Sequence, residues 1–110
     1  MKHNVQDAAS LALARRVAAL LRSSPEPLKM ARGNLERWSR QNADTPSLLR
    51  CYAEWQAILD RPLDEICDVL CAETEEARRL RQNSPFAGVL PPAEVWAIKR
   101  QQRHHAATPA

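Results

Sequence analysis

Apolar residues recur along this chain at steps of three and four, in runs cut short by proline, and that pattern restricts the fold more than any other feature. Leu13, Val17, Leu20 and Leu21 form one stripe, predicting a first helix from about Val5 to Arg22 that Ser23-Ser24-Pro25 ends. Leu28, Ala31, Leu35 and Trp38 form a second stripe, over about Pro27 to Gln41. Gly33 lies inside it, marking either a close helix approach or a tolerated glycine. Thr45 is a candidate N-cap before Pro46, and Leu48, Tyr52, Trp55 and Leu59 carry a third helix from Pro46 to Leu59. Pro62 restarts the chain into a fourth helix reaching Ala72, with Leu63, Ile66, Cys67 and Leu70 inward. A short fifth helix is expected from Glu75 to Gln82, acidic at its start and basic at its end, as the helix dipole favours. Thr74 precedes it without a full capping box. The last helix is expected from Pro92 to about His104, with Val95, Trp96 and Ile98 apolar.

These segments predict an all-α, compact bundle of five to six short helices. Ala, Leu, Arg, Glu and Gln are abundant and lose little freedom in a helix. Val and Ile are scarce, which argues against a sheet. The 110 residues make one domain, taken as residues 1–104, with a disordered tail from His105 to Ala110. The longest non-helical segment, Asn83 to Pro92, is punctuated by proline and carries Phe86, Val89 and Leu90. Leaving them exposed costs about 1.5–3 kcal/mol each, so they belong on the core or on a partner.

Charge excludes some functions and permits others. The net charge of +3 and pI of about 9.1 allow nucleic-acid contact without demanding it. The stretch from Asp60 to Glu76 is acidic, with Arg61 its only cation, and the basic groups collect elsewhere. No run of about 20 apolar residues is present to cross a membrane, and no signal peptide is read at the N-terminus. Three cysteines, Cys51, Cys67 and Cys71, make no disulfide framework and are read as reduced thiols in a cytoplasmic protein. Cys67 and Cys71 are one helical turn apart, but a structural zinc needs four ligands and no second pair matches. The histidines, His3, His104 and His105, lie near the chain ends, and no glycine-rich phosphate loop exists. Asp64, Glu65 and Asp68 read as a solvent face, which gives carboxylates no contrast for acid–base work. Neither an enzyme nor a cofactor or metal is expected.

Trp38, Trp55 and Trp96 fall at inward positions and are expected in the core. Only Trp96, beside Lys99 and Arg100, partly meets the need of a base-stacking platform for aromatics next to cations. A DNA-reading helix pair is poorly supported, since the third helix carries Arg50 as its one basic residue.

The segment Leu80-Arg81-Gln82-Asn83-Ser84-Pro85-Phe86-Ala87-Gly88-Val89-Leu90, followed by Glu94, Trp96, Ala97 and Ile98, resembles a small bacterial helical module of antitoxin-like or uncharacterised proteins. The likeness extends to Ala14-Arg15-Arg16-Val17, to an Ala-Arg-x-Asn-Leu-x-Arg-Trp run from Ala31 to Trp38, and to a Trp-x-x-Ile-Leu-x-x-Pro-Leu-x-Glu run from Trp55 to Glu65. It covers about Leu13 to Arg100. In some relatives the module follows a separate helix-turn-helix domain, which this chain is expected to lack. The resemblance then implies an antitoxin's neutralising part.

The expectation is therefore a non-enzymatic, antitoxin-like module that docks on a partner protein such as a cognate toxin. Arg78, Arg81, Gln82, Asn83, Phe86, Val89, Leu90, Trp96 and Arg100 are the candidate contact residues, since aromatic and Arg groups together are common at binding hot spots. The competing expectation for the loop is that it folds back to cap the bundle. A nucleic-acid-binding transcriptional regulator is the competing expectation, and a homodimer fits either.

Overall fold

In the computed structural model, which describes residues 5–107, six helices account for the ordered elements: α1 (Val5–Ser23), α2 (Glu26–Gln41), α3 (Pro46–Leu59), α4 (Leu63–Cys71), α5 (Glu75–Arg81) and α6 (Pro92–Ala107). There is no strand among the described residues, so the all-α class holds. No helix among them is long and apolar enough to cross a membrane.

The breaks fall at the prolines. Pro27 sits in the first turn of α2, and Pro46 opens α3, where a missing N–H costs nothing. Thr45 holds the N-cap position of α3, but its hydroxyl makes no cap bond; its carbonyl accepts from the Leu48 and Leu49 N–H groups instead. Thr74 does cap: its Oγ1 accepts from the Ala77 N–H at 3.1 Å and fixes the start of α5. α6 runs to Ala107, three residues past the expected end, because Ala106 and Ala107 favour helix and no breaker comes before Pro109. The rest of the expected tail, residues 108–110, lies outside the described residues.

α1 is the hub. It packs along α4 and α6 and also touches α2 and α5, while α2 and α3 pair as a helical hairpin. Val17 and Leu21 of α1 meet Ala31 and Leu35 of α2, Tyr52, Trp55 and Leu59 of α3, and Ile66, Cys67 and Leu70 of α4 in one core. Trp55 is at its centre, fully buried, with its Nε1–H donating to the Leu80 carbonyl at 3.0 Å. Trp38 is half-buried and tilts against the Tyr52 ring.

Two expected core residues are outside. Leu63 is partly exposed because it opens α4, at the end of that helix's apolar stripe. Trp96 is 58% exposed. At 100° per residue, Val95, Ile98 and Gln102 turn α6 inward, and Trp96 falls round the side of the helix. Gly33 faces solvent in mid-α2, with nothing within 4 Å of where a Cβ would stand, so it is a tolerated glycine and no close helix approach.

Candidate interaction groove between α1, α5 and α6

The segment after α5 folds back onto the bundle. Phe86 and Leu90 are buried, 4% and 6% exposed, and Phe86 sets its ring edge-on to Trp55 at 6.2 Å. Gly88 makes the turn with φ of 85°, in the left-handed region that glycine adopts at little cost. Asn34, buried on α2, holds the turn from below. Its Nδ2 donates to the Pro85 carbonyl at 2.8 Å and to the Ala87 carbonyl at 3.0 Å, and its Oδ1 accepts from Arg37. Satisfying a loop's carbonyls in this way keeps its backbone in one conformation.

Arg81 is buried too. Its Nη1 donates to the carbonyls of Leu70 and Ala72, at 3.0 and 2.7 Å, and so closes the C-terminal end of α4 with a positive charge. Of the nine candidate contact residues, Phe86, Leu90 and Arg81 are therefore parts of the bundle's own interior. For Phe86 and Leu90 the sequence leaves core and partner both open, because the loop has no helical period to give an inward face. Arg78, Asn83 and Val89 are half-buried, and Gln82, Trp96 and Arg100 are exposed.

What the folded loop builds is a groove of about 860 Å³. Ala9, Leu13, Ala14 and Val17 of α1 form one wall, Arg78, Arg81 and the loop a second, and Val95, Lys99 and Arg103 of α6 a third. Phe86, Leu90 and Leu70 contribute to an apolar floor. No Asp or Glu is among the described residues that line it.

Ion pairing explains why the charge of this face is distinctive. The acidic stretch seen in the sequence is matched by arginines, some from other elements and some within α5. Arg32 pairs with Asp60, Arg22 with Asp64, Arg15 with Glu73, Arg78 with Glu75, and Arg79 with both Glu54 and Glu76. Arg16 of α1 pairs with Glu94 and ties α1 to α6. Lys99, Arg100 and Arg103 make no ion pair among the described residues, and they stand within two turns of one helix beside exposed Trp96.

The thiols are poorly suited to chemistry. Burial pushes Cys51, Cys67 and Cys71 above the ordinary thiol range, which holds them protonated at neutral pH. Cys67 donates weakly to the Ala18 carbonyl and otherwise fills the core.

Asn34, Lys99 and Arg103 were not among the candidates from sequence. Asn34 had a signal: it is a polar residue beside Leu35 on the inward stripe of α2, and a buried polar group implies a partner. Lys99 and Arg103 had the spacing of a helix stripe with Val95, but only the folded loop shows what that stripe borders.

The chain matches no protein-family model, no curated protein and no solved structure.

Proposed function

We propose that this chain is a non-catalytic, antitoxin-like protein-binding module that docks a partner protein at the groove and the adjoining side of α6. The observation that carries the reading is the apolar-floored groove edged by Lys99 and Arg103, with Trp96 and Arg100 exposed beside it. Exposed Trp and Arg around an apolar hollow are the residue types that dominate binding energy at interfaces. The described lining supplies no carboxylate or imidazole for proton transfer, which favours binding over catalysis.

The motifs behind the family resemblance support a shared scaffold. Asn34 of the α2 motif holds Pro85 and Ala87 of the loop motif, and Trp55 of the third motif bonds Leu80 and edges Phe86. Arg32 of the α2 motif donates to the Leu59 carbonyl. These residues build the fold that presents the groove.

The test is co-purification of the tagged protein from its own host against Trp96→Ala. Recovery of one stoichiometric partner, much reduced with Trp96→Ala, is the expected outcome. Absence of any stoichiometric partner removes the reading.

One observation favours nucleic acid as a second reading: the cluster Lys99, Arg100 and Arg103 next to Trp96 combines cations with a stacking surface. It requires binding to an oligonucleotide that weakens steeply with salt, and a titration at low salt with no binding removes it.

A further inference from the structure

We infer that the occupant of the groove is an acidic amphipathic helix of the partner, with apolar side chains on the floor and carboxylates on Lys99 and Arg103. This rests on the protein-binding reading above and specifies the chemistry of what binds.

Three observations lead to it. The first is charge. Carboxylates from the acidic stretch and from α6 itself are engaged by Arg15, Arg16, Arg22, Arg32 and Arg79, while Lys99, Arg100 and Arg103 have none among the described residues. Complementary charge across an interface fixes register and suppresses wrong partners, so carboxylates are the groups this edge selects.

The second is shape and polarity. Leu13 and Val95 on its walls and Phe86 and Leu90 on its floor give the groove an apolar lining that phosphates and sugars would desolvate against without return, whereas leucine-type side chains gain by entering it. A nucleic-acid strand would use the cations and leave the floor unused.

The third is backbone hydrogen bonding. The two long walls, α1 and α6, are helices whose N–H and C=O groups are already paired along their own axes, so they offer no edge to an extended strand. An occupant that satisfies its own backbone is needed there, and a helix does so. Val95, Lys99 and Arg103 lie at i, i+4 and i+8, a stripe that runs with the axis of α6 and matches a helix laid alongside it.

The experiment uses the full chain and two fluorescein-labelled peptides of about 18 residues, about five helical turns. Both carry leucines at i, i+3, i+4 and i+7; one is flanked by Glu and the other by Lys. Fluorescence anisotropy gives each affinity. The expected result is at least about tenfold tighter binding of the Glu-flanked peptide. Lys99→Glu/Arg103→Glu should weaken it by at least about tenfold and reverse the preference toward the Lys-flanked peptide. Both positions are exposed and make no ion pair among the described residues, and a far-UV circular dichroism spectrum unchanged in the double variant keeps the comparison fair. Equal binding of both peptides, or none of the acidic one at about 1 mM, overturns the inference. So does a dimer that Lys99→Glu/Arg103→Glu dissociates, which makes a second copy the occupant, or an oligonucleotide that outcompetes the acidic peptide. A host partner recovered equally by wild type and the double variant overturns the acidic occupant and leaves the binding module standing. Failure of wild type to recover any partner removes the module itself.

Discussion

Replacing Gly33 by Ala adds a methyl group to the exposed side of α2, where nothing stands within 4 Å. The expected outcome is a gain of about 0.5–1 kcal/mol, read as a higher midpoint in urea unfolding with unchanged slope. Gly88 behaves in the opposite way. Space is open around it, but its φ of 85° makes any side chain unfavourable, and Gly88→Ala should cost about 1–2 kcal/mol in the same measurement. Asn34→Leu tests whether the turn is held by hydrogen bonds or by packing. It strands the carbonyls of Pro85 and Ala87 and should cost about 1–3 kcal/mol, with faster amide exchange around residues 85–90 as its local sign. These three positions also mark how far single residues could be read in advance. Gly33 was open to two readings until its surroundings were known. Asn34 was visible only as a polar side chain on an apolar stripe, because its partners lie about fifty positions away.

Helix bounds followed from proline and from apolar spacing, and α3 falls on Pro46–Leu59 as expected. α6 was harder. Its apolar residues, Val95, Trp96 and Ile98, are too close together to define one face, so Trp96 was assigned to the core when it lies outside. The loop had no period at all, and its burial follows from Asn34 of α2 and Trp55 of α3, which lie far from it in the sequence. Arg81 gives a prediction at this scale. It joins α5 to the end of α4 through two carbonyls, so Arg81→Met should destabilise by about 1–3 kcal/mol while leaving the spectrum all-helical. Trp96→Ala, at an exposed side chain outside the core, should by contrast weaken partner binding without changing the unfolding midpoint.

Across the whole molecule, exposed ion pairs link elements that the core alone would hold. Arg79 hydrogen-bonds Glu54 and lowers its carboxyl below the ordinary value of about 4.5. A carboxylate with a depressed folded-state pKa adds stability that is present above its unfolded pKa and lost as pH falls through the folded one. Unfolding midpoints measured from pH 6 to about pH 3 should therefore fall further for wild type than for Glu54→Gln. Because the pair is open to solvent, the difference should be small and should shrink in high salt.

The central place of α1 sets an order of assembly. α2 and α3 meet through a short turn and can associate as soon as both leave the ribosome, but α1 packs on α4 and α6, and its Arg16 meets Glu94 seventy-eight residues later. During synthesis α1 meets α2 and α4 first, and its side that faces α6 stays uncovered until the last helix has emerged, open to chaperones and proteases alike. Chains stalled before α6 should be cleared quickly, so that cellular abundance reports on completed translation as much as on fold stability.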